Sequence, residues 1–338
     1  MIQGDSETGI VMQTLECRTA DEIYAISMAF DPQRFEQEHA DAHLMAVDDH
    51  LGAAAECSLW WSQTPPLAGQ RVGLIGHYSA ANDSAARSLL AGACERLRRA
   101  RCTCAVGPMD GSTWRRYRFV TEPGTEPAFF LEPQNPPEWP QQFMFAGFSP
   151  LASYFSALNA DLSQRDPRLS ETETRLRSLG VIPRTPRPGE LPNVLRRMYR
   201  VACVAFQNSF LYTELPHDDF VRQYEKLLPV MRPELLLLAE QGTELVGFMF
   251  AAPDVLCQAR NTSTNTFIIK TVAILPRPQL RGLGSLLVGQ VQQIARELGF
   301  QRCIGALMHE RNILVRNISA MYGKPMRRYT LFAKDLAT

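Results

Sequence analysis

Two stretches of the chain carry the same succession of apolar and polar positions 197 residues apart, SLLAGACERLRRARCTCAVGPM from Ser88 and SLLVGQVQQIARELGFQRCIGALM from Ser285. In the later one Leu287, Val291, Ile294 and Leu298 recur at spacings of four, three and four residues. That rhythm predicts an amphipathic helix with these four on its buried face, stopped by Gly299. The earlier stretch keeps the pattern through Leu90, Cys94 and Leu97. Each helix follows an apolar, β-prone run, RVGLIGHY from Arg71 or FIIKTVAIL from Phe267, and precedes a second apolar strand. A strand, turn, helix and strand are thus written twice, and a duplicated unit predicts two similar domains.

The segments upstream agree. Helices are expected around 191–206 and 218–228, then strands from Leu235 and Leu245; the first half offers a helix around 21–30 and strands from His43 and Ala53. Between the halves, 158–192 is rich in Asp, Ser, Arg and Pro, as a boundary followed by an entering edge strand would be. The expected fold class is α/β, of the α+β type with a mixed sheet, in two domains spanning 1–165 and 166–338.

Composition narrows the function classes. Lys+Arg and Asp+Glu are both 35, so the whole surface is not built to coat nucleic acid or an anionic membrane. The balance is uneven along the chain, because residues 260–338 hold twelve basic side chains against three acidic ones. A polyanionic ligand, if the protein has one, is therefore expected near the C-terminus. No run reaches the length of a membrane span, and the acidic N-terminus lacks the basic start of a secretion signal, so a cytoplasmic protein is expected. The eight cysteines include no CxxC and read as reduced, buried thiols. No metal site is expected: His39, His43 and His50 are close in sequence, but His43 starts a strand pattern.

The turn between the second apolar strand and its helix reads Pro276-Arg-Pro-Gln279-Leu-Arg281-Gly282-Leu283-Gly284-Ser285. Two glycines at a strand-to-helix junction let the backbone curl close to a ligand, and the free amides with the positive helix end suit a diphosphate. Arg277 and Arg281 add charge. The turn is neither a P-loop nor a dinucleotide fingerprint. Gln279-x-x-Gly282-x-Gly284, after a strand ending Val272-Ala-Ile274-Leu-Pro276, resembles the acyl-CoA signature of the GCN5-related N-acetyltransferase (GNAT) superfamily. Through the repeat the whole chain resembles a tandem GNAT-fold protein. The first copy has Asn82-Asp-Ser-Ala-Ala-Arg87 at the matching position, with no glycine and with an acid, so its N-terminal domain is read as degenerate.

The resemblance implies acetyl-CoA as acyl donor, with Ile274 facing the pantetheine and Gln279, Arg281, Gly282, Leu283, Gly284 and Ser285 holding the diphosphate. It implies an N-acyltransferase acting on a small-molecule or peptide amine, with no nucleic acid or membrane partner; a homodimer is compatible with it. A backbone amide at Ile274 or Leu275 is the expected oxyanion donor, and Tyr322 the candidate acid for the leaving thiolate. His309 or Glu310 is the candidate acceptor of the amine proton, and Asn312 a further pantetheine contact. Two rival readings are a non-catalytic acyl-CoA-binding or scaffold protein and an aminoacyl transferase using charged tRNA, the latter disfavoured by overall neutrality.

Overall fold

The computed structural model describes residues 13–27, 30–48, 52–261, 265–311 and 323–337. By their contacts they form two units, one of residues up to 120, 135–152 and from 330, the other of 121–134 and 153–329. The sequence reading puts a single boundary at 165, whereas each unit here is discontinuous in sequence.

The first unit runs Gln13–Cys17 (β1), Ala20–Tyr24 (α1), Pro32–Gln37 (α2), Ala42–Asp48 (β2), Gly52–Trp60 (β3), Val72–Ala80 (β4), Asp83–Arg99 (α3) and Cys104–Gly107 (β5). Thr19 and Asp31 start the two short helices by accepting the amides of Glu22 and Gln33. Strands β1 to β5 lie in order, antiparallel except for the parallel pair β4 and β5. Leu89, Leu90, Ala93, Cys94 and Leu97 of α3 are buried with Leu44, Cys57, Leu59 and Ile75 of the sheet. Each such aliphatic side chain contributes about 1.5–3 kcal/mol by leaving water. Phe119–Glu122 (β6), Glu138–Phe145 (α4) and Ser149–Asn159 (β7) follow.

The second unit repeats this order: Leu169–Ser178 (α5), Val181–Arg184 (β8), Leu191–Phe206 (α6), His217–Glu225 (α7), Leu236–Gln241 (β9), Glu244–Pro253 (β10), Leu256–Ala259 (α8), Thr266–Ile274 (β11), Leu283–Glu297 (α9), Arg302–His309 (β12) and Lys324–Asp335 (β13). Strands β8 to β12 lie in order, with only β11 and β12 parallel. Its sixth strand is Tyr154–Asn159 of β7, paired antiparallel to β12; the first unit takes its sixth from Phe332–Asp335 of β13, paired to β5. Among the described residues no helix is long and apolar enough to cross a membrane.

Two local expectations are corrected. In α9, Leu287 and Val291 are fully buried, but Ile294 is half-buried and Leu298 exposed. The buried face is made by Leu283, Leu286, Leu287, Val288, Val291, Gln292 and Ala295, so it is turned slightly from the one expected. Gly299, at φ 91°, does end the helix. The other correction is α5, a helix where the polar composition suggests only a boundary; Arg177 and Glu173 pair one turn apart along it.

Candidate functional site

Eight residues separate β11 from α9 in the second unit, and two separate β4 from α3 in the first. The longer connection makes a short 3-10 turn over Pro278–Leu280 and reaches the helix through Gly282, whose φ of 88° belongs to the left-handed region. Gly282 has no side chain to cap α9, and among the described residues no side-chain hydrogen bond occupies the first amides of that helix. In the first unit Asn82 Oδ1 accepts the Ala85 amide at 2.9 Å, and Asp83 sits in the first turn. The segment Asp83–Arg87, read from sequence as a degenerate turn, is already helix and capped by its own chain.

The loop is braced from α5, which sequence reasoning missed. The Arg175 guanidinium donates to the carbonyls of Gln279, at 2.8 Å, and of Arg281. A Cβ on Gly282 would lie 2.8 Å from the Thr172 methyl. Arg175 thus ties two carbonyls of the loop to α5. The only sequence signal for α5 is its i,i+4 charge pairing.

The sequence-predicted loop residues divide by role. Gln279 and Arg281 are exposed, and the Arg281 guanidinium has no ion pair among the described residues. Arg277 is already committed: both guanidinium nitrogens bind Glu244, one at 2.8 Å. That pairing holds the Glu244 carboxyl below its ordinary pKa. Leu283 is buried in the core, so only its main chain can serve a ligand. A Cβ on Gly284 would lie 3.6 Å from Val272 and 3.8 Å from Ile274, which sets both residues beneath the helix start; Ser285 beside it is half-buried.

Strands β11 and β12 pair only from Thr266–Arg302 to Ile269–Gly305, although β11 continues to Ile274 and β12 to His309. Beyond that point they part, and among the described residues no strand lies beside the β12-facing edge of β11. Leu275 N donates to Val246 O at 2.9 Å, so the Leu275 amide is taken. Main-chain groups alternate along a strand, which turns the Ile274 amide to the opposite, open edge. Of the two expected oxyanion donors, Ile274 retains the geometry and Leu275 does not.

The first unit fills the corresponding gap with its own chain. Met109 N donates to Ile75 O at 2.8 Å, and the His77 amide to Asp110 Oδ1 at 2.7 Å. Gly76 is required there, since a Cβ would meet the Met109 carbonyl oxygen at 2.3 Å. Around it lies a polar cluster: Ser58 Oγ is 2.9 Å from both His43 and His77, and His77 Nε2 is 2.9 Å from Glu38. One potential metal-ligand atom from each of Glu38, His77 and Asp110 lies within 4.8 Å of the other two. Their charge is answered by the chain itself, with Arg34 on both carboxylates and Arg115 beside Glu38. Burial raises the Glu38 carboxyl, but the His77 hydrogen bond and, after it, the charges of Arg34 and Arg115 hold it below its ordinary pKa.

At the far end of β12, His309 packs edge-on to Tyr154, with ring centroids 4.8 Å apart, and stands 5.7 Å from the ring of Phe210 in the loop between α6 and α7. His309 Nδ1 accepts the Arg311 amide at 3.0 Å. In the neutral ring the proton then sits on Nε2, a donor rather than an acceptor of the amine's proton. Glu310 pairs with Arg328 and is not a free carboxylate. Tyr329 is a packing residue: its buried hydroxyl meets Ser156 and Glu132. Tyr322 and Asn312 lie outside the described residues.

Residues 196–315 match the profile of the acetyltransferase (GNAT) family. No curated protein sequence matches the chain. Among solved structures, a GCN5-related N-acetyltransferase from Anabaena variabilis is 10% identical, with a TM-score of 0.56 over 96% of this chain and 73% of that one. A fungal GCN5-related glucosamine N-acetyltransferase region, part of a multi-domain GH3 β-N-acetylglucosaminidase, is 13% identical with a TM-score of 0.54 over 98% of this chain; the chain spans 39% of that protein's length. A tandem GNAT protein from clavulanic acid biosynthesis is 12% identical with a TM-score of 0.48, over 88% of this chain and 83% of that one. Residues 196–315 thus carry the sequence pattern of the GNAT family, in a mixed α/β fold that resembles, along nearly the whole chain, that of a GCN5-related N-acetyltransferase.

Proposed function

We propose that the second unit is an N-acyltransferase using acetyl-CoA and transferring its acetyl group to a primary amine of a small molecule or peptide, and that the first unit binds no second acyl-CoA. The carrying observation is the contrast between two equivalent junctions: an uncapped, glycine-opened helix start beside parted strands in one unit, a self-capped helix and filled gap in the other. The residues fit the donor. Free amides at Leu283–Ser285 and the unpaired Arg281 meet its diphosphate, and the open edge of β11 meets the pantetheine arm by main-chain hydrogen bonds. The donor supplies an activated thioester. The chain supplies orientation and, at the Ile274 amide, a hydrogen-bond donor for the carbonyl oxygen as it gains charge, an effect worth about 3–4 kcal/mol where such donors have been removed.

The test is calorimetric titration of acetyl-CoA into the wild type and Gly284→Glu, with thiol release on a panel of amines including glucosamine, spermidine and free amino acids. Glutamate in the first turn of α9 favours the helix but opposes a diphosphate. One site per chain, abolished in a folded Gly284→Glu, is expected. Equal binding by the variant would refute the site, and binding without thiol release on any amine would favour a non-catalytic acyl-CoA sensor.

A further inference from the structure

Lys270 stands where β11 leaves β12. The last pair between those strands is Ile269 with Gly305, and on the other side the register skips one residue: Phe250 faces Thr271 and Ala251 faces Ile269. Lys270 is that unpaired extra residue, a β-bulge, which re-aims a side chain out of the regular pleat. It sits four residues upstream of Ile274, about 13 Å at the ~3.3 Å rise of a strand, on the side away from the diphosphate loop. A ligand lying along the open edge with its diphosphate at Gly282–Ser285 points its far end toward this apex.

Three further observations bear on its role. Lys270 makes no hydrogen bond or ion pair among the described residues. Its side chain reaches solvent, and the protein packed around its stem lowers its pKa below the ordinary lysine value by desolvation. The chain also has 35 basic residues of which only four are lysines, at 226, 270, 324 and 334. Arginine stays protonated in proteins, so at this apex the chain carries one of its few cations able to release and retake a proton.

We propose that Lys270 is the proton acceptor of the transfer reaction, a catalytic residue at the acyl end of the open edge of β11. This rests on the acetyl-CoA reading above. The amine nitrogen forms its bond to the acyl carbon as the carbon–sulfur bond breaks. The neutral Lys270 Nζ takes the proton the nitrogen loses and passes it to the departing thiolate, giving amide, free CoA thiol and neutral lysine again.

Competitive labelling with a trace of deuterated acetic anhydride, read by mass spectrometry, tests this without a known acceptor. At pH 8 Lys270 should label several-fold faster than Lys226 and Lys324, because a larger share of it is neutral, and saturating acetyl-CoA should protect it while the other two label unchanged. Slow labelling or no protection overturns the proposal. Lys270→Met and Lys270→Arg should both bind acetyl-CoA as the wild type does and both lose thiol release about 100-fold. An active Lys270→Arg would show a charge anchor instead of a base and overturn it as well. If the wild type binds no acetyl-CoA by calorimetry, the underlying reading has failed and this inference falls with it; binding with unprotected Lys270 refutes the inference alone.

Discussion

Replacing Gly282 by alanine separates the two demands placed on the loop. An L-residue in the left-handed region costs roughly 1–2 kcal/mol, and Gly282 sits at φ 88°. The new methyl would also lie 2.8 Å from the Thr172 Cγ2 atom. Threonine is stiff at χ1, and Thr172 is fixed within α5, so the helix or the loop has to give; overpacking of this kind costs about 1 kcal/mol or more. The sum is about 2–3 kcal/mol. If the loop keeps its conformation, the loss appears as stability in urea unfolding. If the loop relaxes to a right-handed residue, the amides of α9 turn away and the loss appears as acetyl-CoA affinity, tenfold for each ~1.4 kcal/mol. The two losses together should reach the sum. Adding Thr172→Ala should recover the steric part and leave the backbone part. Gly282→Ala with both stability and affinity within about 0.5 kcal/mol of wild type would refute the reasoning.

The filled gap of the first unit is tested by Gly76→Ala, whose Cβ would meet a backbone carbonyl at 2.3 Å; a loss of about 2–3 kcal/mol in chemical unfolding is expected, and a neutral effect would mean the contact is absent. Acid stability should trace to the β8 ion pairs. Arg184 and the Arg187 amide lower the Glu190 carboxyl from 4.5 to about 2, so its stabilisation is complete above about pH 4.5 and is lost as the pH falls toward 2. Glu190→Gln should flatten that part of the stability profile measured by urea unfolding between pH 6 and 3, and an unchanged slope would exclude the pair as its source.

Helix α6 lies at 191–206 as its periodicity predicts, and both copies of the repeated strand and helix are found where the apolar rhythm places them. Such elements are legible because their signal is local: spacing fixes which side chains share a face. The loop was legible for the same reason, since Gly282 supplies a backbone conformation and a missing cap by itself. Arg175 was not, because it acts through a fold of the chain that brings residue 175 onto carbonyls at 279 and 281. The availability of Arg277 was misjudged for want of its partner Glu244, 33 residues away.

The amino-acid sequence by itself determined that two α/β units are present, that one carries a glycine-opened helix start, and that the other lacks it. Only the tertiary structure decided which amides and side chains are free to act: the Leu275 amide is spent on Val246, Glu310 on Arg328, and the first unit's gap on Met109 and Asp110, while Ile274 and Lys270 remain open. It also decided that each unit takes its sixth strand from a distant part of the chain, β7 in one unit and the end of β13 in the other. Propensity and periodicity are properties of neighbouring residues, whereas strand register, bulges and ion pairs are set by which distant segments meet, and a one-residue slip in that meeting would reassign every one of these groups.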